Sequence, residues 1–185
     1  MKSPHLPSLL HPDSSEELRV NNESLDIAKV DLRLRRWDGI LLGNTLNGKP
    51  LIDFGSQPVF AEIYVYELMR LSGWQARWVC TYGASAKAPR LLAGWADVKL
   101  TAQQQQPIAE PWVASLLQRI ADTNGGSYAG CWDVVGWHQD QLVFAELKRR
   151  KQDSIRTTQL DWLGAALQHG LQPHNFLLVE WEFAN

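Results

Sequence analysis

"LVFAELKRRKQDSIRTTQLDWL", residues 142–163, begins as a buried strand and then changes character. Leu142 to Ala145 are apolar, Glu146 and Lys148 follow two residues apart, and Arg149, Arg150 and Lys151 come next. Side chains alternate along a strand, so Glu146 and Lys148 share a face with Leu142 and Phe144, while Leu147 and Arg149 take the other. An acid and a base therefore stand together where an apolar strand runs out. Such an end is either a solvated salt bridge of little energetic consequence or a reactive site.

The preceding residues favour the second reading. "CWDVVGW" (131–137) is another apolar strand, and "HQDQ" (138–141) joins it to the first as an antiparallel hairpin. A turn at Gln139-Asp140 places Asp133 directly opposite Glu146, and a one-residue slip would separate them. Two partly desolvated carboxylates face to face repel, so one holds a proton at a raised pKa or a cation lies between them. Oxygen ligands of this kind suit Mg²⁺ or Mn²⁺. Lys148, on the same face, would orient water or hold a phosphate.

Further out, the pattern predicts a helix over about 155–169 stopped by Gly170 and a closing strand, "NFLLVEWEF", over 175–183. Asp153 or Ser154 is the expected cap of that helix. Upstream, the long apolar run "VFAEIYVYELMRL" predicts a buried helix over 59–71, ended by Gly73, and "QARWVCTY" a strand over 75–82. Residues 83–126 read as an insert: mostly loop, a strand near 92–100, and a helix from the helical spacing of Trp112, Val113, Leu116, Leu117 and Ile120, which Asn124-Gly125-Gly126 ends. Residues 1–26 are polar with Pro4, Pro7 and Pro12 and read as a loose arm. "KVDLRLRRW" alternates as a half-buried strand, and Asp38-Gly39 and Asn47-Gly48 are hairpin-type turns, so 27–54 reads as a small β meander. The expected division is an N-terminal arm and meander over 1–57 and a main domain over 58–185.

Composition sets limits on function. Hydrophobic content of 45% and charged content of 21% belong to a globular domain with a sizeable core. A net charge of −2 excludes a protein that coats nucleic acid by bulk charge, so any such contact is local. Two Cys, Cys80 and Cys131, form no metal or disulfide pattern, which makes a reducing cytoplasm the default. No apolar run is long enough to span a membrane, and the start lacks the apolar stretch of a signal peptide. The five His show no ligand spacing, and neither a Ser/His/Asp or Cys/His arrangement nor a Gly-rich phosphate loop is present.

Gly130-Cys131-Trp132-Asp133, then Glu146-Leu147-Lys148, then Asp153, Gln159 and Trp162 resemble the PD-(D/E)xK nuclease superfamily, and within it the VRR-NUC branch, over roughly residues 59–182. Trp132 stands where that branch has Pro. Asp97-Val98-Lys99 also spells a D-x-K but is followed by Thr, Ala and four Gln rather than by such a helix. The resemblance implies an α/β fold of the restriction-endonuclease type, with a mixed central sheet flanked by helices and a β-rich N-terminal extension. It implies Mg²⁺- or Mn²⁺-dependent phosphodiester hydrolysis, most naturally of DNA. Asp133, Glu146 and the Leu147 carbonyl would bind metal, with Lys148 positioning water and Gln159 orienting the site. The first helix would add an acid through water: Glu62, eleven residues before Gly73, fits the family spacing, whereas Glu67 does not and pairs instead with Arg70. Arg149, Arg150, Lys151 and Arg156 are the expected phosphate track. A catalytically inactive nucleic-acid-binding or assembly module, an RNA-cleaving effector and a homodimer all stay open.

Overall fold

The computed structural model describes residues 4–82 and 86–184; residues 1–3 of the expected arm and 83–85 of the expected insert lie outside them. A seven-stranded mixed sheet organises the chain in the order β1-β2-β9-β8-β7-β5-β6. Its strands are β1 (Ser14–Val20), β2 (Glu23–Leu34), β5 (Gln75–Cys80), β6 (Arg90–Leu92), β7 (Val134–His138), β8 (Gln141–Arg149) and β9 (Phe176–Phe183). Two short strands, β3 (Ile52–Asp53) and β4 (Pro58–Val59), pair separately. Three helices, α1 (Ala61–Leu71), α2 (Pro111–Thr123) and α3 (Thr157–Gln168), complete the fold. β9 runs parallel to both β2 and β8, and the other pairs in the sheet are antiparallel.

The sheet divides two apolar layers. On one face α1 packs on β5 and β7 over Val134, Val143, Ala145 and Leu147. On the other, α2 and α3 cover Val135, Leu142, Phe144 and Phe176. Period-2 alternation along β8 feeds both layers, the reason a strand with two covered faces is almost continuously apolar. α1 ends where Gly73 takes a left-handed φ of +82°, a conformation that costs glycine least. α2 starts on Pro111 at its first turn, where a missing N–H is harmless.

The predicted hairpin and its register are those observed: Val134 pairs with Ala145 and His138 with Gln141. The helices and the closing strand lie within two residues of the expected bounds. Three expectations are corrected. The loose arm over 1–26 contains β1 and the start of β2, because Leu18, Val20 and Ile27 bury under α3 while the alternate residues face solvent. The meander over 27–54 does not stand apart: β2 joins the main sheet beside β9, Val30 opposite Val179. The strand expected near 92–100 is only Arg90–Leu92, because the following backbone turns away to meet the 43–44 loop.

A candidate carboxylate and lysine centre

Asp133, Glu146, Lys148, Gln159 and Glu62, from β8, α3, α1 and the residue that leads into β7, converge where β7 and β8 part. They line one cavity of about 600 Å³, together with Lys49. Asp133 stands one residue before β7, its main-chain carbonyl bonded by the Val79 N–H at 2.7 Å. Its Oδ2 accepts the Leu147 N–H at 3.0 Å. The backbone of β8 thereby fixes the carboxylate that the alternating pattern places opposite Glu146.

Glu146 is only 2% exposed. Its Oε1 accepts from Gln159 Nε2 at 2.6 Å and pairs with Lys148 Nζ at 3.0 Å. Its Oε2 is buried with no hydrogen-bond partner, and the Asp133 carboxyl is near enough to act on the Glu146 group. Burial, then the Asp133 charge, raises the Glu146 pKa well above the ordinary carboxylate range. Burial, then the Glu62 charge, raises that of Asp133, against Lys49, the Leu147 N–H and Lys148. Two carboxylates pushed in the same direction, one of them with a buried oxygen that has no partner, form a donor set suited to a hard divalent cation. Among the described residues no three His, Cys, Asp or Glu side chains gather closely enough to hold an ion by themselves. Main-chain oxygen or water must therefore complete any coordination.

Gln159 links the other groups. Its Oε1 accepts from Lys148 Nζ and from the Arg156 N–H, both at 2.9 Å, while its Nε2 donates to Glu146. Because the Arg156 N–H is satisfied this way, Gln159 takes the capping role expected of Asp153 or Ser154. Asp153 Oδ2 instead accepts the Arg149 N–H at 3.0 Å. Trp132 Nε1 donates to the Gln159 carbonyl at 3.3 Å, and the Trp ring is fully buried against Phe176. Trp132 is thus a prop for the first turn of α3. Gly130 permits the same approach, since a Cβ there would run into the Thr158 carbonyl.

Glu62 lies in the first turn of α1, 4% exposed, ion-paired with Lys49. No signal in the sequence singled out Lys49: it comes from the loop between β2 and β3, beside the Asn47-Gly48 turn. Glu67 pairs with Arg70 at 2.7 Å, as its spacing predicts. Asp97, the decoy acid, accepts the Gly43 and Asn44 N–H groups at 2.9 and 2.7 Å. It fastens the loop that carries Lys49.

One residue of the expected basic track has its partners within the protein. Arg150 is committed to Asp31, Glu180 and Glu182 at 2.6, 2.7 and 3.1 Å. It ties β2, β8 and β9 together. Arg149 and Arg156 line the cavity, the first also stacking over Trp181 and Phe183; Lys151 and Arg156 are exposed.

Raised carboxylates make a pH prediction. A rise for Asp133 from the ordinary value to about 6 corresponds to about 3 kcal/mol. The folded state holds the proton longer than the unfolded chain, so stability falls as pH rises from about 4 through about 6, and the loss persists above. Melting in EDTA from pH 4.5 to 8 is expected to show this fall in wild type and a flatter profile in Asp133→Asn. Superimposable profiles would show that Asp133 is not perturbed.

Against known protein families, characterised proteins and solved structures, the chain finds no match. Among the described residues no helix is long and apolar enough to cross a membrane.

Proposed function

We propose that the protein is a metal-dependent nuclease of the restriction-endonuclease type, hydrolysing phosphodiester bonds, most naturally in DNA. The observation that carries this reading is the Asp133–Glu146 pair, with its donorless buried oxygen, beside a lysine whose ammonium is fixed by Gln159. Asp133, Glu146 and the Leu147 carbonyl would hold Mg²⁺ or Mn²⁺, with Glu62 nearby. A divalent ion supplies Lewis acidity there, neutralising charge on phosphoryl oxygens and acidifying water.

The chain's own groups do the rest. Lys148 Nζ, held by Glu146 and Gln159, stands ready to orient water or to stabilise charge on the phosphate. Gln159 keeps lysine and carboxylate in register. The cavity has the dimensions of a small-ligand site, so an exposed strand segment fits it better than an undistorted duplex does.

Plasmid, single-stranded DNA, branched DNA and RNA, each incubated with Mg²⁺, with Mn²⁺ and with EDTA, test the reading. Cation-dependent cutting of a DNA substrate supports it. Cutting that persists in EDTA, or binding to DNA with no cutting in either metal, would replace it with a different chemistry or with a binding module.

An acidic protein must hold a polyanion locally, and Arg149, Lys151 and Arg156 remain for that task. Two or three phosphate contacts give a slope of about −2 to −3 for log K against log salt. In Ca²⁺, Lys151→Ala with Arg156→Ala should flatten this slope. Arg150→Ala should lower the melting temperature and leave the slope unchanged, since its partners are within the protein. A slope that shifts in Arg150→Ala would return that residue to the track.

A further inference from the structure

Lys49 has no place in the pattern of acids, lysine and glutamine that ends β7 and β8. It arrives on the loop between β2 and β3, far from both strands in sequence, and that loop is firmly fastened. Asp97 holds the Gly43 and Asn44 N–H groups, Trp95 Nε1 donates to the Asn44 carbonyl at 3.0 Å, and the Lys49 N–H donates to the Thr45 carbonyl at 2.8 Å. The Lys49 side chain is 24% exposed and Glu62, its ion-pair partner, 6%. Its ammonium lies 5.6 Å from the Trp78 ring centre and 5.5 Å from that of Tyr82. Glu62 and Asp133 both attract it. An ammonium seated between carboxylates and aromatic faces is a fixed positive charge within the cavity that Asp133 and Glu146 also line.

Phosphodiester centres that use two divalent ions place them about 4 Å apart, and acidic ligands must reach both. Here the acid beyond the Asp133–Glu146 pair is already neutralised by a side chain of the same protein. Among the described residues Glu62 does not join the pair in a three-carboxylate cluster. We propose that Lys49 is a built-in counter-charge that takes the place of a second divalent cation. Asp133 and Glu146 then bind a single ion per chain, and Glu62 serves to hold Lys49 rather than to ligate metal. A compact, strongly hydrated ammonium is suited to this position because it acts as a point charge. It would meet a phosphate in the cavity from the α1 side while Lys148 meets it from the α3 side.

The inference rests on the nuclease reading only through the cation site, and counting ions tests it without any cleavage assay. The full-length chain is titrated with Mn²⁺ in the absence of nucleic acid, and free Mn²⁺ is followed by electron paramagnetic resonance. Wild type should bind one ion per chain. Lys49→Met keeps an unbranched apolar chain against Trp78 and Tyr82 and frees Glu62; it should bind a second Mn²⁺, which Lys49→Met combined with Glu62→Gln should lose again. Lys49→Arg preserves the charge and should stay at one. Lys49→Gln is the alternative neutral variant should the Met variant not fold, with circular dichroism as the check, and it too should gain a second ion. Two ions in wild type would overturn the proposal and leave the nuclease reading standing, as would a single ion in both neutral variants. No Mn²⁺ bound by wild type would overturn the proposal and take the metal-dependent reading with it.

Discussion

Asp133→Ala and Glu146→Gln should each lower cleavage by about 10³-fold or more, ~4 kcal/mol of barrier, and weaken Mn²⁺ binding. These substitutions test the two carboxylates with the least disturbance. Asp133 is partly buried, and its Oδ2 accepts one main-chain N–H, so its truncation removes a charge at modest structural cost. Glu146→Gln is preferred to Ala because Oε1 receives both Gln159 and Lys148. An amide oxygen still accepts from them, whereas Ala would leave both donors without that acceptor. Circular dichroism should be unchanged, and in EDTA the Asp133 variant should melt no lower than wild type, since one of two repelling acids is gone. Wild-type cleavage by both variants would place the chemistry elsewhere.

The second large effect belongs to Lys148. Lys148→Met should lower kcat by about 10²-fold, ~3 kcal/mol, while Mn²⁺ affinity holds or rises. The reason is electrostatic: the ammonium 3.0 Å from Glu146 Oε1 competes with a cation for the same carboxylate, so its removal favours the ion even as the reaction slows. Gln159→Ala should behave as a weaker copy, with about tenfold loss, because it releases both Lys148 and Glu146 without deleting either. A parallel fall of rate and Mn²⁺ affinity in Lys148→Met would show that the lysine merely holds the carboxylate in place. An unchanged rate would remove it from the reaction.

The hairpin at the centre of the site is legible because its determinants are local. Period-2 alternation assigns Asp133, Glu146 and Lys148 to one face, and a two-residue turn with Gln139 at a φ of +54° fixes the register. Gly73 and Gly170 stop α1 and α3 at left-handed positions, +82° and +83°, and the apolar runs before them set which faces are covered. Gln159 and Glu62 were legible in a different way. The resemblance of the surrounding motif pointed to them, and the packing of two helices against one sheet end brings them to it.

β1 left a weak signature because it is an edge strand: only Leu18 and Val20 of its seven residues are buried. The sequence alone determined the β7–β8 hairpin, the helices that flank it and the acid–lysine pattern at its end, since each depends on side-chain period and turn chemistry over a few residues. Only the tertiary structure decided that Lys49 meets Glu62, that Asp97 ties down the loop carrying it, and that Arg150 spends its charge on Asp31, Glu180 and Glu182. The Arg150 contacts join segments brought together by the parallel insertion of β9 between β2 and β8. No local pattern encodes which distant acid a lysine or arginine will find once such a sheet closes.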